Sequence, residues 1–343
     1  MKIATAGVDL AKNVIQVHGA DDHGKAVMKK PFKRSQVLPF FARQEPCLIG
    51  MEACGSAHYW ARKLTALGHT VKLMAPQFVK PYVKTNKNDA ADAEAICEAV
   101  RRPNMRFVPV KNTEQQSVLA LHRARQSFVK ARTAQANQIR GLLAEFGITI
   151  PQGIGHIATS LPEILEDGEN ELPGRFRLLL QRLGDHLKEM DRQVTELERE
   201  ITLWHRQNEA SRKLAQMPGI GPITASALSA SVGDAKCFKS GRQLAAWLGL
   251  VPRHQSTGGK TVLLGISKRG DPYLRSLLVH GARSMIRHAE GKADQTTAWF
   301  ARLLGRRNKN IAAVAIANKN ARIAWALLAH GREFQTDYAP AGA

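Results

Sequence analysis

The sequence predicts an α/β domain with a mixed sheet followed by an all-α region, and three patterns support this prediction. Short apolar runs alternate with helical spacing over the first hundred residues. Two long stretches then place apolar residues every three or four positions, from 114 to 146 and from about 175 to 208. The last third is helical and rich in small residues. The 343 residues suffice for several domains, which we place at 1–112, 113–210 and 211–343.

Strands dominate the N-terminal domain. The runs IATAGVDL, NVIQVHGA and GKAVMKKPF are separated by turn-forming residues and predict three antiparallel strands. CLIGMEA is short and continuously apolar up to Glu52, which predicts a buried strand. A helix in SAHYWARKLTALG, a strand in TVKLMAP and a helix that opens at Asp89 complete the order. Four strands, a helix, a strand and a helix are typical of a mixed sheet.

Two long helices are predicted in the middle of the chain, at Glu114–Phe146 and at about Arg175–Asn208, with a linker of Gly and Pro residues between them. The second helix has heptad-like spacing, which predicts a coiled-coil seam. The seam consists of Leu179, Leu183, Leu187, Met190, Val194, Leu197, Ile201 and Trp204. A helical hairpin within one chain and self-association through this arm explain the spacing equally well, because heptads do not identify the partner helix.

Helices are also predicted throughout the C-terminal domain. Residues 218–230 form a unit like a helix-turn-helix, and SGRQLAAWLG is a short helix. The segment DPYLRSLLVHGARSMIRH begins with an aspartate cap and a proline in the first turn, and NIAAVAIANKNARIAWALLAH closes the fold.

The charge distribution points to a polyanionic partner. The formal net charge is +21, and the basic excess is uneven along the chain. Residues 1–150 hold 23 basic against 11 acidic residues (+12), residues 151–210 hold 7 against 12 (−5), and residues 211–343 hold 20 against 6 (+14). Two lobes this basic are typical of nucleic-acid binders, although a merely lysine-rich surface is the simpler alternative.

Other classes of protein are disfavoured by the composition. An uninterrupted apolar stretch of about 18 residues is absent, so we expect a cytoplasmic protein without a membrane span. The four cysteines lie far apart and form no C-x-x-C pair, so we expect neither a disulfide framework nor a zinc site.

Four acidic residues of the N-terminal domain form the first candidate site. Asp9 ends the first strand, Glu52 ends the buried strand, and Asp89 and Asp92 lie three residues apart on one face of a helix. Carboxylates gathered in one place repel each other until a cation neutralises them, and Mg²⁺ suits an all-oxygen site. Two such ions about 4 Å apart are a known device for cleaving phosphodiesters.

Each of these acids also has a structural explanation. Asp89 could be an N-cap with Asp92 as its capping-box partner, and Asp9 could terminate a strand at a turn. Glu52 is hardest to explain this way, because it follows apolar residues directly. The order of the four acids along strand, strand and helix is the pattern of RNase H and RuvC-like nucleases.

The second candidate is the turn between Gly219 and Gly221 in MPGIGPITA, which resembles a helix-hairpin-helix. Such a turn presents backbone N–H groups and a helix start to a phosphate. This predicts contact with a nucleic-acid backbone, and a plain turn between two helices is the alternative.

The third candidate is the segment GLVPRHQSTGGKTVLLGISKRGDPYLR. A nucleotide-binding P-loop is excluded because His254 occupies the position of its first glycine. We expect a flexible Gly-Gly loop that carries Ser256 and Thr257, with His254 as a candidate base. The flanking cations, for which phosphate contact is the expected role, are Arg253, Lys260, Lys268 and Arg269.

These motifs together resemble a known family. GVDLAKN with Asp9, IGMEACGS with Glu52 and KNDAADAEAI with Asp89 and Asp92 are similar to the DEDD motif of the insertion-sequence transposases founded on insertion sequence one hundred and ten, which include Piv-type DNA invertases. MPGIGPITASALSASVGDAKCFKSGRQLAAWLGLVPRHQSTGGK and the residues after it resemble the family's second conserved domain. The resemblance implies a RuvC-like domain, a coiled-coil arm and a C-terminal helical transposase domain.

The resemblance also implies a function. Members are site-specific recombinases directed by a bridge RNA, a non-coding RNA that pairs with target and donor DNA. The DEDD carboxylates hold Mg²⁺, and a serine attacks DNA to form a phosphoserine linkage in a composite site assembled between subunits. By motif position the serine is Ser256, and Thr257 stands where some relatives carry a second serine. Further expectations are a dimer or tetramer joined through the coiled coil, with a hydrolytic junction nuclease and a non-catalytic nucleic-acid-binding protein as rival functions.

Overall fold

The computed structural model describes residues 2–84, 88–288 and 295–335. The chain divides into two compact units, residues 1–113 and 114–343. The middle segment and the C-terminal segment therefore share one unit, and a division between them at 210 and 211 stays a prediction.

The first unit contains a six-stranded mixed sheet in the order β3-β2-β1-β4-β5-β6. Its strands are β1 Thr5–Leu10, β2 Val14–Ala20, β3 Ala26–Lys33, β4 Leu48–Glu52, β5 Thr70–Met74 and β6 Phe107–Val108. The first three strands pair antiparallel, as predicted, whereas β4 runs parallel to both β1 and β5. A mixed sheet was expected from the alternation of strands and helices, and it is confirmed.

The helices of this unit are α1 Arg34–Phe41, α2 Ala57–Ala66, α3 Pro76–Val79 and α4 Asp89–Val100. The predicted order lacks α1, the four-residue α3 and the two-residue β6. All three are short, and α1 contains Pro39, which weakens any helical signal in its sequence. Val37 and Phe41 of α1 are nevertheless buried in the core beside the sheet.

Two glycines determine how closely α4 packs on the sheet. Gly7 on β1 and Gly50 on β4 are paired in register. A Cβ atom on Gly7 would lie 2.1 Å from the carbonyl oxygen of Ala93 and 2.4 Å from the amide nitrogen of Cys97. A Cβ atom on Gly50 would lie 2.7 Å from Cβ of Val100. The backbone of α4 therefore lies directly on the sheet, on the face that these two glycines share.

The second unit is mostly helical. Its elements are α5 Thr113–Ala144, α6 Ile154–Glu166, α7 Gly174–Gln207, α8 Glu209–Ala215, α9 Pro222–Val232, α10 Gly241–Trp247, β7 Pro252–Thr257, β8 Lys260–Ile266, α11 Pro272–Arg287, α12 Gln295–Leu304 and α13 Lys309–His330. The predicted linker contains a helix, α6, whose Ile157 and Leu161 are buried. Gly184 on α7 allows this contact, because a Cβ there would lie 2.7 Å from Leu161.

The two long helices, α5 and α7, run antiparallel within one chain. Arg125 pairs with Glu198 and Arg132 with Asp191, while the Glu114 carboxylate accepts a 2.8 Å hydrogen bond from Trp204 at the opposite end. The seam residues Leu187, Met190, Val194 and Ile201 are buried by the chain itself, whereas Leu179 is 42% exposed. The structure thus contains the helical hairpin that heptads alone left undecided, and self-association through the arm remains a proposal.

A buried histidine joins α5 to the C-terminal helices. His122 is 1% exposed and lies 2.9 Å from the Tyr273 hydroxyl and 3.1 Å from Ser226 Oγ. Burial, and secondarily Arg125, lower the pKa of His122 to about 4, so the ring is neutral at neutral pH. The hydrogen bonds therefore link α5, α9 and α11 without burying a charge.

Among the described residues, one helix is long and apolar enough to cross a membrane, namely α13. Its buried positions include Ile316, Ala317, Ala321 and Leu327, which belong to the main apolar core of the second unit. Small alanines along this face let α10 and α11 pack against α13, which is the behaviour of a core helix.

We predict that Gly7→Ala disrupts the first unit, because the new methyl group would collide with the backbone of α4. The expected loss is roughly 3 kcal/mol of unfolding free energy, measured by urea denaturation. Gly55→Ala is the matched control, because a Cβ there meets nothing within 4 Å. Equal stability of the two variants would contradict this account of α4 packing.

Candidate metal centre and serine hairpin

The acidic residues lie at the carboxyl ends of two neighbouring parallel strands. Asp9 follows Val8, and Glu52 follows Met51, and these two preceding residues are paired in register. Because side chains two residues apart share a face, Asp9 lies on the face of Gly7 and Glu52 on the face of Gly50. That is the face covered by α4, so both acids point toward the side on which the helix lies.

The start of α4 carries the other two acids. Asn88 is the N-cap, and its side-chain oxygen accepts a 2.9 Å hydrogen bond from the amide of Ala90. Asp89 is therefore the first helical residue and Asp92 the fourth, so the alternative in which they form a cap and a capping box is wrong. The helix dipole favours negative charge in this first turn.

Three of the four carboxylates converge. Asp9, Asp89 and Asp92 each offer a carboxylate oxygen, and these oxygens lie within 4.8 Å of one another. Asp9 and Asp92 are half-buried and Asp89 is exposed, so the group is partly open to solvent. Glu52 is not a member of this group, but Asp9 and Asp92 both act on its charge.

The surroundings of Glu52 disfavour its charged form. Burial raises the pKa of the Glu52 carboxyl, and the negative charges of Asp9 and Asp92 raise it further. A bound cation would reverse the effect of these neighbours, because it favours ionised carboxylates. The donor set is made of carboxylate oxygens only, which fits a hard divalent cation.

Glu94, two residues after Asp92, fixes α4 to the sheet, and sequence reasoning did not assign it a role. Its carboxylate lies 2.8 Å from Lys29 Nζ, 3.5 Å from Lys84 Nζ and 3.9 Å from Nδ1 of the buried His18. His18 and Lys29 stand in the same cross-strand row as Gly7. The hydrogen bond from Lys29 lowers the pKa of Glu94, so this carboxylate is ionised at neutral pH.

The segment predicted as a flexible glycine loop is a β-hairpin, so that prediction was wrong. Strands β7 and β8 pair antiparallel, and Gly258 and Gly259 form a two-residue turn with φ of 56° and 79°. Glycine adopts positive φ values without steric cost, which explains the Gly-Gly pair in this turn. Ser256 lies on β7 directly opposite Thr261.

The hairpin is anchored at its base. The amide of Ser267 donates a 2.8 Å hydrogen bond to the carbonyl of Val251, and Asn318 donates one of 3.1 Å to Leu250. A Cβ on Gly249 would lie 2.0 Å from the Arg269 carbonyl oxygen, so the two chain segments meet without space between them. Beyond this base, every residue from Pro252 to Gly265 is exposed.

The predicted phosphate-binding cations lie on or beside this hairpin. Arg253 is on β7 and Lys260 on β8, while Lys268 and Arg269 directly follow the second strand, and all four are exposed. Within the 36 residues from 235 to 270 the chain has seven Lys and Arg residues and no Asp or Glu.

The turn with Gly219 and Gly221 joins α8 to α9. Gly219 has a φ of 78°, and a Cβ there would lie 2.9 Å from the Gly281 carbonyl oxygen of α11. Close packing on α11 is thus sufficient to explain this glycine. Gly221 is the exposed N-cap of α9, and a Cβ atom there would meet nothing within 4 Å.

Comparisons with known proteins bear on both parts of the chain. The DEDD transposase family model matches residues 6–148, and the model described as "Transposase IS116/IS110/IS902 family" matches residues 211–297. A "Probable family 20 transposase" of Pseudomonas aeruginosa is 53% identical over 99% of this chain and 100% of its own length. The chain belongs to this transposase family.

Two further relatives agree with this assignment. The transposase for insertion sequence element IS1111A of Coxiella burnetii is 45% identical over 95% of this chain and 90% of its own length. The transposase for IS1328 of Yersinia enterocolitica is 44% identical over 97% and 98%. The family resemblance read from the sequence is confirmed, and membership implies an enzyme that cleaves and rejoins DNA. A DEDD domain also indicates use of a divalent metal in this transposase.

We predict that Glu52→Gln stabilises the metal-free transposase near neutral pH. The folded-state pKa of Glu52 lies above 4.5, so its protonated form favours folding. This contribution is present below pH 4.5 and is lost as the pH rises through the folded-state pKa. The melting temperature of the variant should exceed that of the wild type at about pH 7 and match it at about pH 4.

The test uses thermal unfolding in the presence of a chelator. Addition of Mg²⁺ should raise the melting temperature of the wild type more than that of Glu52→Gln. Equal melting temperatures of the variant and the wild type at both pH values would show that burial and the other acids do not raise the pKa of Glu52.

We predict that Glu94→Gln weakens divalent-metal binding about tenfold, because it loosens the helix that carries Asp89 and Asp92. Glu98→Gln is the matched control, since Glu98, within the described part of the chain, pairs locally with Arg102 just after the end of α4. The measurement is Mn²⁺ affinity by calorimetry. Equal affinities of the two variants would contradict a positioning role for Glu94.

Proposed function

We propose that the protein is a site-specific DNA recombinase of an insertion sequence, guided by a bridge RNA. It cleaves and rejoins DNA strands through Mg²⁺-dependent attack by Ser256. The observation that supports this most directly is the convergence of Asp9, Asp89 and Asp92 within 4.8 Å at the end of two parallel strands.

Asp9, Glu52, Asp89 and Asp92 would hold the metal. A bound Mg²⁺ supplies charge for the developing negative oxygens of a phosphodiester and brings attacking and leaving groups into line. Asp9 and Asp92 are positioned by β1 and α4, and half-burial limits their freedom. Glu52 lies near them on β4, and it would become a ligand when a bound cation offsets the repulsion among the acids.

Ser256 is the proposed nucleophile. Its Oγ forms a bond to phosphorus, the bond from phosphorus to one deoxyribose oxygen breaks, and that oxygen takes up a proton as the serine hydroxyl loses one. The phosphoserine ester keeps the energy of the original phosphodiester. A hydroxyl of another DNA end can therefore reverse the step and join a new strand without an external energy source.

The hairpin geometry supports Ser256 over Thr257. Adjacent residues of a strand point to opposite faces, so only one of these two hydroxyls can approach a given phosphate. His254 shares the face of Ser256 and is therefore placed to exchange a proton with it, whereas Thr257 is on the other face with Lys260.

The remaining surfaces are proposed to bind nucleic acid and other subunits. Arg253, Lys260, Lys268, Arg269 and the Gly219–Gly221 turn, as a helix-hairpin-helix, contact the backbones of target DNA, donor DNA and bridge RNA. The long helices form a coiled-coil arm through which copies associate as a dimer or tetramer and assemble the composite site. The reaction takes place in the bacterial cytoplasm, at the nucleoid.

Two rival functions make different predictions. In a hydrolytic junction nuclease the carboxylates activate water, and Ser256 merely contacts phosphate. In a non-catalytic nucleic-acid-binding protein the acids are structural, and binding needs no Mg²⁺.

We predict that Ser256→Ala abolishes strand cleavage and the covalent protein–DNA adduct, while Thr257→Ala keeps most of both. The assay uses the full chain with its copurified RNA and a plasmid that carries the insertion sequence, and the adduct is detected by denaturing gel. Cleavage by Ser256→Ala at the wild-type rate would support the hydrolytic nuclease instead. Absence of cleavage by the wild type, together with nucleic-acid binding that needs no Mg²⁺ and is unchanged in Asp9→Asn, would support the non-catalytic rival. Sequencing of the copurified RNA tests the guide.

A further inference from the structure

The hairpin of β7 and β8 has two different faces. Residues that pair directly across an antiparallel ladder share a face, and the faces alternate along each strand. His254 pairs with Leu263 and Ser256 with Thr261, which places these four residues on one face. The opposite face carries Gln255, Thr257, Lys260 and Val262.

Leu263 is unusually exposed for an apolar residue beside a candidate nucleophile. It is 61% exposed, and Val262 on the other face is 53% exposed. An exposed leucine on an open two-stranded ribbon has a cost in solubility and in unwanted pairing. A partner that covers Leu263 during the reaction would offset this cost.

Charge favours nucleic acid as the partner of the hairpin. The seven cations and absence of acids between 235 and 270 give this whole segment one sign of charge. Arg253 and Lys260 lie on the ribbon itself, so a phosphate backbone is the complementary surface. A two-stranded ribbon is also narrow enough to enter a DNA groove.

Geometry then determines what Leu263 meets. It stands diagonally across the ladder from Ser256, a separation of about 7 Å between such residues. Successive phosphates of one DNA strand advance along the axis by about 3.4 Å. When Ser256 reaches a phosphodiester, Leu263 therefore faces a base or sugar within about two nucleotides of it.

We propose that Leu263 acts as an apolar wedge that enters the base stack next to the cleaved phosphodiester and holds that step open during attack by Ser256. The inference rests on the proposed function and adds a specificity element to it. An apolar side chain gains free energy by contact with a base that has left the stack, whereas it gains little from a phosphate. Steps that unstack easily would accordingly be cleaved faster than stiff ones.

The test compares Leu263→Ser with Val262→Ser, a matched variant on the opposite face. Cleavage positions are first mapped from the wild-type adduct, and duplexes are then made with 2-aminopurine beside the cleaved phosphate. We expect Leu263→Ser to slow adduct formation about tenfold and to remove the rise in 2-aminopurine fluorescence. Val262→Ser should stay within about twofold of the wild type, and a mismatch at the flanking step should restore the rate of Leu263→Ser.

Each other outcome overturns the proposal. Equal losses in the two variants, or a loss that the mismatch does not relieve, would assign Leu263 to folding or binding in general. A change of oligomer size in both variants, measured by light scattering, would show that protein covers the hairpin. If the wild type forms the adduct and Leu263→Ser forms it at the same rate, only this inference is wrong. If the wild type forms no adduct, the proposed function is wrong as well.

Discussion

The contact of the α4 backbone with Gly7 and Gly50 is the constraint on which the rest of the first unit depends. Without side chains at these two positions, the helix can lie on the sheet at a distance that no other residue allows. The glycines precede Asp9 and Glu52 by two residues each, so the face that accepts the helix is the face that carries the acids. Packing and acid placement therefore have one cause, and the same contact brings the helix start with Asp89 and Asp92 to the strand ends.

This packing gathers negative charge in a chain whose net charge is +21. Folding brings the acids together, and burial first, then the charges of Asp9 and Asp92, raises the pKa of Glu52. Glu94 stabilises the packing of α4, because its carboxylate forms ion pairs with Lys29 and Lys84. The helix is thus attached by one carboxylate that has cationic partners, and it delivers two others to a place where carboxylates accumulate.

Sequence patterns predicted the first five strands and the two long helices and singled out the four acids, because each depends on local periodicity or on motif order. They did not predict α1 or α6, and they also missed α3, β6 and the β7–β8 hairpin. Pro39 and Pro162 lie inside the first two, and a Gly-Gly pair reads equally well as a loop or as a tight turn. The repeated pattern of glycine two residues before an acid, in GVD and GME, was the available signal for close helix packing. The role of Glu94 had no such signal, because it depends on Lys29, which lies 65 residues away.

The acidic cluster and the serine hairpin differ in how well folding alone defines them. Asp9 and Asp92 stand on a strand and a helix that are packed together, so their positions exist before any substrate arrives. Ser256 stands on a ribbon that is anchored at its base, and the residue is exposed. A serine hydroxyl has its ordinary weak nucleophilicity until a neighbouring group accepts its proton and a phosphate is held in line. Under the proposed function, Ser256 would gain its reactivity only when DNA covers the hairpin, which would limit cleavage in the absence of the correct duplex.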